Sequence, residues 1–210
     1  MENDDSEFNA MTVPIHRSQE NVSRWTAESV GMKANILDRI ERAVFKVRER
    51  LLRATMALNQ AGVPYAVVGG NAVASWVATV DEGAVRNTRD IDLLVRRSDF
   101  PSVTVALEQA GFVSEQGKPS EAIHILFAGE KIRPEHPLPA PEIQTVDDPA
   151  NFRVIDFDSL VTMKLMSNRD KDRTHLRDMI GVGLINESWL PKLLPELANR
   201  LKQILDTPDS

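Results

Sequence analysis

The sequence predicts an α/β fold, a small mixed sheet flanked by helices and followed by a helical C-terminal segment. Three observations point there. Residues 33–61 carry apolar side chains at steps of three and four, the spacing of an amphipathic helix. The apolar run 65–68, and the segment of Ile91, Leu93, Leu94 and Val95 that carries Asp90 and Asp92, have the look of strands. Beyond residue 157 the patterns are helical again.

Taken in order, residues 1–32 are polar and aperiodic and read as a flexible N-terminal tail, with Trp25 and Met32 packing only locally. The helix that follows has the stripe Ile36, Ile40, Val44, Val47, Leu51, Ala54 and Leu58, and the segment 59–64 ends it. A strand over 65–68 runs into a turn at Gly69 and Gly70. A helix over 71–79 comes next, striped by Ala72, Val73, Trp76 and Val77, with Gly70 or Asn71 as its cap. The second strand carries Asp90 and Asp92. Pro101 then opens a helix whose apolar face is Val103, Ala106, Leu107 and Ala110, and Gly111 stops it. Residues 122–129 look like a further strand. Residues 130–150, with Pro134, Pro137, Pro139, Pro141 and Pro149, read as a loop or a lid. Asp158 or Ser159 would cap the helix that carries Lys164. The last helical pattern spans 193–205 and requires Pro195 in its first turn. The division is thus a tail over 1–32, a core over 33–157 and a helical segment over 158–210.

Composition narrows the classes. At 210 residues the chain can build one good core. With 42% apolar and 27% charged residues it matches neither a disordered chain nor a membrane protein, and no apolar stretch is long enough to span a bilayer. The acidic N-terminus lacks the basic-then-apolar order of a secretory signal, so a cytoplasmic location is the expectation. Cysteine is absent, which removes disulfides and thiolate metal sites. A net charge of −6 disfavours broad nucleic-acid binding. Local basic surface remains, in Lys164, Arg169, Lys171, Arg173 and Arg177 and in Arg48, Arg50 and Arg53. Such runs also read as ordinary solvated faces.

The chemistry concentrates between residues 64 and 94. Gly69 and Gly70 let the backbone approach a phosphate, and the helix behind them offers free N–H groups to an anion. Asp90 and Asp92 are two apart on a strand, so they share a face at a separation of about 6.5–7 Å. Two neighbouring carboxylates repel. A divalent cation between them relieves that repulsion and keeps positions open for phosphate oxygens. Alone, Asp-x-Asp also describes a solvated strand end, and Gly-Gly alone describes a tight turn. Together they describe a nucleoside triphosphate site with its metal. Neither a dinucleotide fingerprint nor a P-loop is present.

These residues resemble a known family. Val68, Gly69 and Gly70 followed by Asp90, Ile91 and Asp92 are similar to the signature of the polymerase-beta-like nucleotidyltransferase superfamily. Gly69, Gly70, Asn71 and Ala72 with Arg86, Thr88, Asp90 and Asp92 resemble more narrowly the minimal nucleotidyltransferases grouped with the AbiEii-type toxins. So do Lys164 and Leu165 with Arg169, Lys171 and Asp172. The resemblance spans roughly residues 60–180 and makes 33–157 a nucleotidyltransferase-like core.

It implies metal-dependent transfer of a nucleoside monophosphate from an NTP to an acceptor that is RNA, protein or a small molecule, in a toxin role if an antitoxin partner exists. Asp90 and Asp92 would hold Mg²⁺, with Mn²⁺ as the alternative. Gly69, Gly70 and Asn71 would bind the nucleotide, and Lys164 would meet phosphate as a point charge. The superfamily has a third carboxylate on a neighbouring strand. Here His124 takes that place, where a neutral imidazole can accept a proton but is the poorer Mg²⁺ ligand. Glu121 and Glu130 flank that strand. His124 is therefore either the base or a packed side chain beside the pocket. The alternative to an enzyme is a non-catalytic nucleotide- or partner-binding module on the same fold.

Overall fold

The computed structural model describes residues 18–112, 123–148 and 152–207. Contacts divide the chain into two units, Met1–Ala43 and Val44–Ser210. Within the first, the described residues form the N-terminal part of helix α1, Ser18–Gln60. The helix thus already covers residues 18–32, which the sequence assigns to a tail. Residues 1–17 lie outside the described residues.

The second unit holds a five-stranded mixed sheet in the order β3-β2-β1-β5-β4. Its strands are β1 (Tyr65–Val68), β2 (Ile91–Val95), β3 (Ile123–Phe127), β4 (Thr145–Asp147) and β5 (Arg153–Ile155). β1 pairs antiparallel with β2 and parallel with β5. β2 pairs parallel with β3, and β4 antiparallel with β5. The expected α/β architecture of a mixed sheet with helices against it is what the chain adopts. β4 and β5 were not expected, since β4 lies within the proline-rich stretch read as a loop.

The central strand explains the burial. All four residues of β1 are buried. Tyr65 is fully enclosed, with Thr55 and Asn59 of α1 beside its hydroxyl, and burial pushes its phenol above the ordinary range. From Val44 onward α1 buries Leu51, Ala54 and Leu58, the C-terminal half of the expected stripe. Helix α2 (Gly69–Ala78) starts at the first glycine, two residues earlier than expected. Val68 stands at its N-cap without a side-chain bond, so neither Gly70 nor Asn71 is the cap. Helix α3 (Phe100–Gln109) has Pro101 in its first turn and buries Val103, Ala106 and Leu107. Gly111 follows at φ +81°.

Helices α4 (Phe157–Ser167), α5 (Asp170–Gly181) and α6 (Pro195–Asp206) make the C-terminal layer. Asp156, not Asp158 or Ser159, caps α4, accepting a bond from the Ser159 N–H at 2.9 Å. Asn168, at φ +46°, turns the chain sharply from α4 into α5. Two aromatic contacts seal this layer: Trp76 with Phe157 at 5.1 Å and Phe157 with Trp189 at 5.4 Å. Among the described residues no helix is long and apolar enough to cross a membrane.

Candidate active site

A cavity of about 380 Å³ opens where β1, β2 and β3 meet the turn between α4 and α5. The register assembles it. Asp92 lies opposite Val68 of β1 on one side and opposite His124 of β3 on the other. Gly69, immediately after Val68, therefore abuts the Asp92 carboxylate. Its φ is +69°, a left-handed value that suits glycine, and a Cβ there would stand 1.9 Å from Asp92 Oδ2. Gly70 is similarly crowded, since its Cβ would meet Thr88 Oγ1 at 2.6 Å. Gly69 is thus favoured by its backbone conformation as well as by a close approach, and Gly70 by the close approach alone.

Asp90 comes one residue before β2. Its carbonyl accepts a bond from Asn71 Nδ2 at 2.8 Å, so the Asn71 amide ties α2 to the aspartate loop. Arg86, upstream on the same loop, pairs with Asp178 of α5 at 2.8 Å. Both carboxylates face the cavity and both have partners. Lys171 Nζ stands 3.2 Å from Asp90 Oδ2, and His124 Nδ1 stands 3.0 Å from Asp92 Oδ1. A carboxylate only accepts, so Nδ1 carries the proton in that contact, and a neutral ring then has its lone pair at Nε2.

Lys164 lies deeper. It is buried and bonds Asp172 Oδ1 at 3.1 Å, while Arg169 holds Asp172 Oδ2 at 2.8 Å. Burial works to raise the Asp172 carboxyl. The bond from Arg169 and the charge of Lys164 outweigh it and bring the group down to about 2. Burial draws the Lys164 ammonium below its ordinary value, and Asp172 opposes that. His175, one turn further along α5, is lowered to about 4 by burial and then by the Lys164 charge. Sequence reasoning gave Lys164 either a phosphate contact as a point charge or a solvated helix face, and did not anticipate this buried pair.

The proline-rich segment supplies a wall. Ala140 N–H donates to the Glu130 carbonyl at 2.8 Å and Gly129 N–H to the Ala140 carbonyl at 3.0 Å, which pins the excursion at its base. Ile132, Arg133 and His136 then line the cavity with Leu126, Leu160 and Met163. Burial holds the His136 imidazole below its ordinary value. Of the residues singled out in the sequence, Gly69, Gly70, Asp90, Asp92, His124 and Lys164 line one cavity. Asn71 is not among the lining residues and is bonded to the Asp90 carbonyl instead. Arg133, His136, Arg169, Lys171 and Asp172 join them without having been assigned site roles, although Arg169, Lys171 and Asp172 sat in the quoted motif. Glu130 is bonded to Arg97 at 2.5 Å, and Glu121 lies outside the described residues.

Among the described residues no three acidic or histidine side chains cluster as a metal cage. The donor set that exists is two hard carboxylates opening on one cavity, with glycine backbone against one of them. It fits a divalent cation that draws its remaining ligands from phosphate and water. A second groove of about 450 Å³ runs along α1 past Phe45, Leu52 and Met56. It is the larger space, but its lining offers no paired carboxylates.

No family model and no curated protein matches the chain. Among solved structures, the solution structure of the antibiotic-resistance factor ANT(2'')-Ia is similar at 14% identity, over 79% of this chain and 91% of that chain, with a TM-score of 0.49.

Proposed function

We propose that the protein is a metal-dependent nucleotidyltransferase of the polymerase-beta-like superfamily. The observation that carries this reading is the convergence of Gly69, Asp92 and His124 on one point of the sheet, with Asp90 beside them. Asp90 and Asp92 would hold Mg²⁺ or Mn²⁺, which stabilises charge on the reacting phosphate and orients it for in-line attack. Gly69 and Gly70 bring backbone to the triphosphate. The apolar wall of Leu126, Ile132 and Met163 suits a nucleobase.

Asp92 orients His124 through Nδ1, and His124 takes the proton of the attacking acceptor hydroxyl at Nε2. Lys164 acts mainly through Asp172, fixing the start of α5 and adding positive charge to the cavity. The reading keeps a catalytic core over 33–157, completed by the helical segment 158–210. The AbiEii-type branch, a toxin role, an antitoxin partner and a cytoplasmic setting belong to it on the sequence resemblance alone.

Incubation with α-labelled NTPs and Mg²⁺, following pyrophosphate and labelled acceptor, tests the activity. Asp92→Asn should cut turnover by on the order of a hundredfold, because the cation is asked for several kcal/mol at the transition state. The second reading, a non-catalytic nucleotide-binding module, is favoured by His124 standing where the superfamily has a carboxylate. It predicts nucleotide binding with no pyrophosphate release, in the wild-type chain and in Asp92→Asn alike.

A further inference from the structure

We propose that Lys171 is an internal stand-in for the divalent cation at Asp90, and that cation binding hands its ammonium over to the triphosphate. This rests on the metal site proposed above. Lys171 Nζ already occupies Asp90 Oδ2 at 3.2 Å. An ammonium and a metal ion cannot both hold that oxygen closely, so the two compete for it. Competition is feasible because the bond is of the exchangeable kind. The Lys171 side chain is 52% exposed and that of Asp90 32%, and pairs in such surroundings are worth little.

The released ammonium has a destination. Lys171 lines the same cavity as Gly69 and Gly70, where a triphosphate would lie. Its charge rides on a flexible four-carbon stem, so the transfer needs no backbone movement. The backbone is in any case fixed. Asp172, the next residue, is clamped by Lys164 and Arg169, and Asp178 on the same helix is held by Arg86. The electrostatics favour the exchange. Around the cavity Arg133, Lys164, Arg169 and Lys171 face Asp90, Asp92 and Asp172, so a divalent cation that displaces Lys171 leaves a strongly positive cavity. A triphosphate matches that charge. Cation and nucleotide are then coupled, each improving the site for the other.

Lys171→Met tests this through two binding constants of opposite response. Binding of Mn²⁺ alone, read from the loss of the free-ion signal in electron paramagnetic resonance, should tighten roughly two- to fivefold once the competitor is removed. Binding of a non-hydrolysable NTP analogue in saturating Mn²⁺, read by calorimetry, should weaken about tenfold through loss of a charge-assisted contact. Lys171→Arg should return both constants toward wild type. Circular dichroism and thermal unfolding confirm that each variant is folded, with Lys171→Gln as a second neutral variant. An Mn²⁺ affinity that is unchanged or weaker in both neutral variants overturns the inference. Asp90→Asn separates the two levels. Mn²⁺ binding that this change weakens keeps the metal site whatever Lys171 does, while Mn²⁺ binding indifferent to it removes the site and the inference together.

Discussion

Two aspartate–lysine pairs face the same cavity at nearly the same separation, 3.2 Å for Asp90 with Lys171 and 3.1 Å for Asp172 with Lys164. Distance therefore does not distinguish them. Surroundings do. The Asp90 pair stands in contact with solvent, whereas the Asp172 and Lys164 side chains are 1% and 7% exposed. In water the attraction is screened and either partner can leave. In the interior each charge depends on the other, because the loss of one strands the second in a poorly solvating medium. Asp172 also has Arg169 as a second cation. One pair is thus free to exchange partners, and the other holds α4 to α5.

The sharpest way to break this comparison is Asp172→Asn. It strands Lys164 and should cost about 3–5 kcal/mol in urea unfolding. Lys164→Met should cost less, because Arg169 still answers Asp172.

Acid titration comes next in size. The His175 ordinary value of 6.5 falls to about 4 in the folded chain. The unfolded chain thus takes up a proton that the folded chain refuses. Stability is full above about pH 6.5 and drains as pH falls to about 4, by up to roughly 3 kcal/mol. Asp172, lowered from 3.8 to about 2, keeps its contribution above that window and loses it between those two values. Chemical denaturation at a series of pH values should show the upper loss flattened in His175→Gln and the lower one flattened in Asp172→Asn.

The smallest effect should come from Lys171→Met, under about 1 kcal/mol of stability. An equal cost for Asp172→Asn and Lys171→Met in the same unfolding assay would erase the distinction between the pairs.

Much of the open half of the site was legible in the sequence. A glycine pair after an apolar run and two aspartates on a strand are local patterns. Both carboxylates line the cavity as expected, although Asp90 stands one residue before the strand and not on it, and His124 does lie opposite Asp92. The buried half was not legible, for a physical reason. Lys164 meets Asp172 only because Asn168 adopts a positive φ and folds α5 back on α4, and neither helical stripe announces that turn. β4 and β5 escaped because three residues are too few to show a period, and β4 is exposed throughout. The cap at Asp156 was missed by two residues, within the usual uncertainty of helix ends. Asn71 was read as one of two candidate helix caps and as a nucleotide-binding residue, yet its amide is committed to the Asp90 carbonyl nineteen residues away, a contact that only the tertiary fold creates.

The position of β1 has a consequence for how the protein is made. Its antiparallel neighbour β2 follows soon in the chain, but its parallel neighbour β5 is distant: the Arg153 N–H reaches the Tyr65 hydroxyl across eighty-eight residues. Pairing at such separation must close a long loop before it is rewarded, which slows folding. Translation at about 5–20 residues per second places several seconds between the emergence of Asp92 and that of Asp172. During that interval the chain exposes its two carboxylates without Lys171 to meet Asp90 and without the clamp that sets α5 in position. A ribosome-bound chain that stops short of α5 therefore lacks Lys171 and Asp172, and the lining of the cavity is complete only once α5 is in place.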